Sequence, residues 1–483
     1  MRTTRTIATL LKGAGPATSS TRALKWLSFA LLFPSVASAK AELDAQGCVT
    51  NFDPTADYFS PEHRAMMTST GSVPSTVTFA TDFSIEYFHT FKIVRNLLNS
   101  KVYVLHQCGA GAGPPAADLP ADAVGAPVFT VPVQGWSTGM TPAIGFLEDL
   151  GIMNKAAVMN PGYVSSSCAL KLAGCGEITT MTDNSGGAAG AWGTAISAST
   201  SAVHFTDDFD TGASSSLRDV AFDTATDPGA LARAEWIKFV AAFFNLEPHA
   251  NRVFNNIKAE FDQTKALTAA AIAGGVVAPK VLWIEKSNGY TWDGVTYPDQ
   301  WKISTAAYKV ELVASAGGVT PSASELGALC TVNPYDSTAY SCTPQAIKAA
   351  LGGVDVVIDE TYHPSDGYTS ANFMSNFNFS LSADHPDDYP FMSGKVLRLD
   401  RLMVQSGQYT FGNAWLEDGI VSVDVVLDDL AFYLHPSLMS TYQPRFFRNI
   451  AAGETVTLAT AAECDDPYAT CPGETAPPAP PME

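Results

Sequence analysis

The sequence predicts an α/β protein with two Rossmann-like lobes joined by a long interlobe helix, and with a small β-rich extension before the first lobe. The long helix is predicted over 227–274, where apolar residues recur at the spacing of one helical face. They are Trp236, Val240, Phe243, Phe244, Ala250, Val253, Phe254, Ile257 and Phe261. Buried-type strand patterns lie on both sides, VFTVPVQG before the helix and KVLWIE and VDVVID after it. Each leads into a loop and then a helical segment, which favours mostly parallel sheets.

The pattern divides the chain into six segments. We predict a signal peptide at 1–39, a β-rich extension and linker at 40–125, lobe one at 126–226, the interlobe helix at 227–274, lobe two at 275–445 and a C-terminal tail at 446–483, which should be disordered after Cys464. Asn245 and Pro248 predict a joint within the interlobe helix. In the extension, the runs SIEYF, TFKIV and KVYVLHQ predict a small antiparallel sheet.

The first 39 residues have the composition of a secretory signal. They contain five basic residues and no acidic one, and the apolar run from Leu24 ends at Ala37-Ser38-Ala39, a small-residue cleavage pattern. An organelle transit peptide is the alternative, because basic residues with Ser and Thr would also suit one. No later segment has the roughly 18 uninterrupted apolar residues of a membrane span. We therefore expect a soluble protein that is secreted, extracellular or periplasmic.

Charge excludes one class of partner. Removal of 1–39 leaves 23 basic and 48 acidic residues, a net charge of −25. A surface of this sign repels phosphate backbones, so nucleic acid is not an expected partner.

All eight cysteines follow the predicted signal peptide, and an even number in an exported chain favours disulfides. Proximity in the sequence suggests Cys168 with Cys175, Cys330 with Cys342 and Cys464 with Cys471, which leaves Cys48 for Cys108. The sequence leaves the connectivity open, and a reduced protein is the alternative. Zinc is disfavoured because no C-x-x-C pair occurs.

Five segments, taken in order, resemble a known family. They are 81–87 (TDFSIEY), 233–245 (RAEWIKF, then FFN), 301–306 (WKISTA), 355–362 (DVVIDETY) and the closing helix from Asp424 to Pro436. This chain resembles, from about 79 to 440, the class III periplasmic binding proteins, which are iron-siderophore, cobalamin and metal receptors of ABC importers. The resemblance implies a non-enzymatic, monomeric protein that holds a small molecule, a metal chelate, in the cleft between two lobes. It implies no cofactor.

Eight residues are predicted to contact the ligand, from their positions after strands or within an aromatic loop. They are Ser137, Thr138 and Tyr163 in lobe one, and Tyr290, Trp292, Trp301, Glu360 and Tyr362 in lobe two. Glu148 is a candidate for docking to a transporter, as the resemblance implies. The glycosylation sequon Asn378-Phe379-Ser380 and the lack of a lipid-attachment site point to a secreted eukaryotic relative, for which a surface receptor is an alternative to an ABC importer.

Two other functions remain open. Direct metal-ion binding would use His204 with Asp207, Asp208 and Asp210, Glu360 with His363, and His385 with Asp387 and Asp388. A serine hydrolase would use Ser137 of Gly135-Trp136-Ser137-Thr138-Gly139, with His106-Gln107-Cys108-Gly109 as its oxyanion loop and Asp359 with His363, His385 or His435 completing a triad. Pro142 weakens the hydrolase hypothesis, because it interrupts the helix that should follow the serine.

Overall fold

The computed structural model describes residues 43–59, 75–181, 189–207, 218–363, 367–380, 383–405, 411–466 and 469–474, with only the backbone described at Ala189, Gly190 and Trp292. The predicted signal peptide, 1–39, lies outside the described residues. Over the described ranges, no helix has both the length and the apolar content needed to cross a bilayer.

A four-stranded sheet precedes lobe one. Strands β1 (Phe83–Tyr87), β2 (Phe91–Asn96) and β3 (Lys101–Gln107) are antiparallel, as the sequence predicts, and β4 (Val128–Val131) runs parallel to β3. The run VFTV, predicted as a strand of lobe one, is β4 and pairs with β3 of this sheet instead. Its residues are alternately exposed and buried, which is the pattern of a strand with only one covered face.

Lobe one contains a five-stranded, wholly parallel sheet in the order β7-β6-β5-β8-β9. Its strands are β5 (Trp136–Thr138), β6 (Ala156–Met159), β7 (Thr179–Thr180), β8 (Val203–Thr206) and β9 (Asp219–Ala221). The helices of this lobe are α1 (Thr141–Asp149), α2 (Ser167–Gly174) and α3 (Ala189–Ala198). Pro142 lies in the first turn of α1, where a helix tolerates proline. The central strand, β5, is fully buried, because helices or the spine cover both faces of the sheet at this strand.

The predicted interlobe helix is a spine of three consecutive helices, α4 (Ala230–Glu235), α5 (Ile237–Phe244) and α6 (Glu247–Ala273). The joint between α5 and α6 lies where the sequence predicts it, because Asn245 adopts a left-handed conformation with φ of 54°. All eight residues of α5 are buried. One continuous apolar core includes residues of the N-terminal sheet, lobe one, the spine and lobe two.

Lobe two contains a seven-stranded sheet in the order β14-β15-β13-β10-β16-β17-β20. Its strands are β10 (Val281–Ser287), β13 (Gln300–Ser304), β14 (Thr331–Val332), β15 (Ala339–Cys342), β16 (Val356–Asp359), β17 (Val396–Arg398) and β20 (Arg448–Asn449). Only β10, β16 and β17 are parallel to one another, so the predicted mostly parallel sheet is mixed. The antiparallel strands arise because hairpins, rather than helical crossovers, join β10 to β13 and β14 to β15.

Smaller elements surround this sheet. The strands β11 (Tyr290–Trp292) and β12 (Val295–Tyr297) form a separate hairpin, and β18 (Leu402–Gln405), β19 (Phe411–Asn413) and β21 (Thr457–Ala459) form a three-stranded sheet. The helices are α7 (Ala307–Ser315), α8 (Ala323–Gly327), α9 (Pro344–Ala350), α10 (Ser370–Asn376), α11 (Ala414–Glu417) and α12 (Val423–Leu434). The closing helix predicted from Asp424 is α12, which packs along the spine helix α6.

The C-terminal segment returns to lobe one. Two disulfides, Cys168–Cys464 and Cys175–Cys471, attach it to α2 and to the residue that follows α2. The predicted pairs Cys48–Cys108 and Cys330–Cys342 are present, but the pairs Cys168–Cys175 and Cys464–Cys471 are wrong. The predicted disorder after Cys464 is also wrong for 464–466 and 469–474, which have a defined position beside α2. The remainder of the tail lies outside the described residues.

We expect four intramolecular disulfides in the mature protein, with the tail cross-linked to lobe one. Proteolysis without reduction, followed by mass spectrometry, should yield peptides of the Cys168 and Cys175 region joined to peptides of the Cys464 and Cys471 region. Detection of eight free thiols under denaturing conditions, or of a Cys464–Cys471 peptide, would contradict this connectivity.

Candidate functional site

The carboxyl ends of the two parallel sheets lie at a shared interface. The loop 160–165 follows β6 of lobe one, and the excursion from β18 through α11 follows β17 of lobe two. At Gly412 in β19, a Cβ atom would lie 2.1 Å from the carbonyl oxygen of Val164, so only glycine permits this approach. The backbone N–H of Ser165 donates to Glu417 Oε2 at 2.8 Å. Open α/β sheets place ligands at these carboxyl ends, so the interface is the candidate site.

The spine is tied to lobe two beside this interface. The guanidinium of Arg233 in α4 lies 3.5 Å from the ring centroid of Tyr308 in α7, and the N–H of Ala230 donates to Glu311 Oε2 at 2.9 Å. Lys309 forms an ion pair with Glu360, which follows β16. Burial raises the pKa of the Glu360 carboxyl, and the Lys309 ammonium opposes that shift. Glu360, a predicted ligand contact, is therefore engaged within lobe two.

An aromatic hairpin extends β10 beyond its carboxyl end. Its turn contains Asp293 and Gly294, both with positive φ (48° and 76°), as the Asp-Gly sequence favours. The rings of Tyr290 and Tyr297 stack across the hairpin with centroids 4.8 Å apart. These side chains are nonetheless 59% and 38% exposed. Exposed stacked rings at a strand's carboxyl end offer a face for a partly apolar ligand.

The other predicted aromatic contacts differ in their surroundings. Tyr163 and Tyr362 follow β6 and β16 and are 54% and 75% exposed, so both rings are available to a ligand. Trp301 is half-buried, and its Nε1 donates to the carbonyl of Asn376 at 2.9 Å, which fastens β13 to α10. The side chain of Trp292 lies outside the described structure. Tyr297 is not among the predicted contacts, although the Asp-Gly turn indicates the hairpin that places it opposite Tyr290.

Ser137 and Thr138 lie within β5 (Trp136–Thr138) rather than in a loop after the predicted strand VFTVPV. Both are fully buried. Ser137 Oγ lies 2.8 Å from Ser201 Oγ and 2.9 Å from His204 Nδ1, and Thr138 Oγ1 donates to the carbonyl of Phe205 at 2.9 Å. These hydrogen bonds hold β5 to β8 and direct both hydroxyls into the lobe. Their predicted contact with a ligand would require this packing to open.

The same geometry argues against the hydrolase alternative. Ser137 is in a strand and not at a strand-to-helix turn, and the predicted partners Asp359, His363 and His435 belong to lobe two or its surroundings. His204 contacts Ser137, but burial lowers the pKa of His204 to about 4, so the imidazole is neutral in a closed interior.

We expect no turnover of short acyl esters that depends on Ser137, because no ester can reach a fully buried hydroxyl. Hydrolysis of p-nitrophenyl acetate and butyrate should be compared in the wild type and in Ser137→Ala. Turnover that is lost in Ser137→Ala, with the variant still folded, would restore the hydrolase hypothesis.

The predicted metal ligands do not converge where the structure describes them. His204 is buried against Ser137, the ring of His363 packs edge-on against Tyr368 at 5.4 Å, and His385 pairs with Asp387 at the surface. Asp208 and Asp210 lie outside the described residues. A different group comes together instead: carboxylate oxygens of Glu148, Glu417 and Asp418 lie within 4.8 Å of one another.

This carboxylate group spans the interface between the lobes. Glu148 belongs to α1 of lobe one, whereas Glu417 and Asp418 end α11 of lobe two. Burial, then the charge of Asp418, raises the pKa of Glu148 to about 7. Burial and the same neighbour raise the pKa of Glu417 well above its usual value. Glu148, a predicted docking residue, thus faces lobe two, a position that no local sequence pattern indicates.

A comparison with solved structures found periplasmic solute-binding proteins among the matches. A periplasmic heme-binding protein from Pseudomonas aeruginosa is 12% identical with a TM-score of 0.42, over 67% of this chain and 99% of the other. An ABC transporter substrate-binding protein from Listeria monocytogenes is 13% identical with a TM-score of 0.39, over 63% and 99%. A Helicobacter pylori protein solved with Ni(II) bound is 10% identical with a TM-score of 0.40, over 65% and 88%. No protein-family model and no curated protein matches the chain.

Proposed function

We propose that this chain is a non-enzymatic solute-binding protein that captures a metal chelate between its lobes for uptake. The observation that carries the proposal is the meeting of the two carboxyl edges, where the loop 160–165 contacts β19 and α11. Ligands of open α/β sheets bind at such edges, and two facing edges enclose a ligand from both sides.

The charges beside the aromatic hairpin favour a chelate over a bare ion. Three carboxylates there have a cationic partner: Asp299 lies 3.1 Å from Lys286, Glu285 lies 4.0 Å from Lys302, and Glu360 pairs with Lys309. A bare cation would have to displace these lysines. A chelated metal presents an organic surface, which suits the exposed rings of the hairpin.

The proposal includes the location of the protein and the protein that receives its ligand. A chelate scavenger would act outside the cell or in a periplasm, as a monomer, and deliver its ligand to an ABC importer or to a surface receptor. This chain has a net charge of −25 after removal of the signal peptide, so the protein that receives the ligand would present a basic face.

A fluorescence titration tests the ligand class. We expect at least one of several ferric siderophores, haem or cobalamin to quench tryptophan fluorescence, and free Fe³⁺ or Ni²⁺ to do so more weakly. Tyr290→Ala should weaken binding by about 1–3 kcal/mol, roughly 5-fold to 150-fold, because one face of the ligand loses its aromatic contact. Trp292→Ala should weaken binding similarly if that ring also contacts the ligand.

Tyr335→Ala is the matched control, since Tyr335 is 97% exposed but belongs to the β14–β15 connection rather than the aromatic hairpin. Its affinity should equal that of the wild type. Unchanged affinity in both Tyr290→Ala and Trp292→Ala would remove the hairpin from the site. No binding of any chelate by the wild type would reject the proposed ligand class.

A further inference from the structure

The interface between the lobes contains four oxygen-bearing side chains that converge from both sides. Glu148 and Ser165 come from lobe one, and Glu417 and Asp418 come from lobe two. Gly145 makes this convergence possible: a Cβ there would lie 3.0 Å from the carbonyl oxygen of Glu417, so α1 packs directly on the backbone of α11. The four side chains therefore occupy one small volume between the lobes.

Among the described residues, two buried oxygens in this volume lack a hydrogen-bond partner of good geometry. Ser165 is 8% exposed and Glu417 is completely buried. Ser165 lies beside the Glu417 carboxylate, yet neither Ser165 Oγ nor Glu417 Oε1 has a hydrogen-bond partner of good geometry among the described residues. Buried polar atoms are nearly always satisfied, so two adjacent unsatisfied oxygens point to a group that binds both.

The charge of the cluster indicates what that group is. Among the described residues, the three carboxylates have Arg445 as a cationic neighbour, whose guanidinium pairs with Asp418 and is half exposed. Ser166, at the start of α2, adds a hydroxyl near Glu148, and Asp149 adds a further negative charge. With all carboxylates ionised, the cluster keeps an excess of negative charge that a divalent cation would neutralise.

We propose that Glu148, Ser165, Glu417 and Asp418 form a Ca²⁺ site that links the two lobes. Every donor is a hard oxygen, and the set contains neither imidazole nor thiolate, which selects Ca²⁺ over transition metals. Irregular geometry, with water completing the coordination, suits Ca²⁺ better than Mg²⁺, which demands a near-ideal octahedron. This site is independent of the chelate-binding proposal, because it uses none of the residues of the aromatic hairpin.

The site has a structural consequence. Its ligands divide evenly between the lobes, so cation binding would hold loop 160–165 against α11. Loss of the ion would leave like charges facing each other, which favours separation of the lobes or uptake of protons. Ca²⁺ would thus set how readily the interface opens.

The test uses full-length mature protein stripped of metal with EDTA and dialysed at pH 8. Titration with CaCl₂ to about 1 mM, the upper range for extracellular calcium modules, should raise the melting temperature and produce a calorimetric binding signal. Glu148→Gln and Asp418→Asn should each lower the Ca²⁺ affinity by at least about 10-fold, as expected when a charged ligand is lost. Both residues are only partly buried, so these variants should fold, as their melting temperatures in EDTA will show.

Glu177→Gln is the matched control, because Glu177 is an exposed carboxylate of lobe one outside the cluster. It should bind Ca²⁺ as the wild type does. Amide exchange at Ser165 should slow on Ca²⁺ addition in the wild type and in Glu177→Gln, but not in Glu148→Gln. Absence of any Ca²⁺ effect on the wild type, or an equal effect in Glu148→Gln and Asp418→Asn, would overturn the proposal, whatever the outcome of the chelate titration.

Discussion

Replacing Trp236 by Ala is expected to destabilise the protein by about 3–5 kcal/mol, the usual loss when a large buried aromatic side chain is removed. Trp236 is completely buried between α4 and α5. Its ring lies 4.9 Å from the rings of both Phe83 and Phe239 and 5.5 Å from that of Phe222, measured between centroids. One side chain thus joins the N-terminal sheet, lobe one and the spine. The measurement is the free energy of unfolding from urea denaturation.

Trp236→Phe separates packing from hydrogen bonding. The indole Nε1 donates to Asp227 Oδ2 at 3.1 Å, and phenylalanine would keep most of the packing while losing that bond. We expect Trp236→Phe to cost about 1 kcal/mol, less than Trp236→Ala, because Asp227 Oδ2 loses one hydrogen bond but still accepts from the backbone N–H groups of Thr81 at 3.1 Å and Asp82 at 3.3 Å. A loss below about 1 kcal/mol in Trp236→Ala would mean that the spine is not the common core of the three units.

The spine is the part of the fold that the sequence predicts best. Periodicity is a local property, and the apolar stripe from Trp236 to Phe261 specifies both the helices and their buried face. The joint at Asn245 is also local, because asparagine tolerates the left-handed conformation that ends α5. The strands around Leu282 and Val357 are predicted for the same reason.

The pairing between segments that are distant in the chain could not be predicted from the sequence. The run VFTV is recognisable as a strand, but its choice of β3 over β5 depends on which face is covered. The cysteine pairs fail similarly. Cys464 is near Cys471 in the chain, yet both bond to lobe one, at a sequence separation of 296 residues from Cys168 and Cys175. Closeness in sequence is a poor guide where a tail returns across the molecule.

The candidate site shows the same division. The aromatic hairpin follows from Tyr290, Asp293, Gly294 and Tyr297, whose spacing specifies a two-residue turn and a cross-strand pair. The carboxylate cluster has no such local signature, since Glu148 and Glu417 are separated by 269 positions in the sequence. The loop predicted at Ser137 is a strand in the structure, because a strand as short as Trp136–Thr138 has too few residues to show a periodic pattern.

Replacing Lys92 by Met is expected to cost about 3–5 kcal/mol, because it leaves a buried carboxylate without its cation. Lys92 in β2 is completely buried, and its Nζ donates to Glu247 Oε1 at 2.6 Å, to the carbonyl of Ala242 at 2.6 Å and to Asn245 Oδ1 at 2.8 Å. These acceptors surround the joint between α5 and α6. The Lys92 ammonium therefore links the N-terminal sheet to the joint between α5 and α6.

A double-mutant cycle with Glu247→Met identifies the cause of that loss. Removing both charges leaves no unpaired ion, so Lys92→Met with Glu247→Met should be less destabilised than the sum of the single variants, with a coupling of about 0.5–3 kcal/mol. Lys258→Met is the matched control, since Lys258 pairs with Asp262 at 2.5 Å on an exposed face of α6 and its loss should cost under about 1 kcal/mol. Strict additivity in the cycle, with a Lys92→Met loss no larger than that of Lys258→Met, would show that the spine joint does not depend on the buried ion pair.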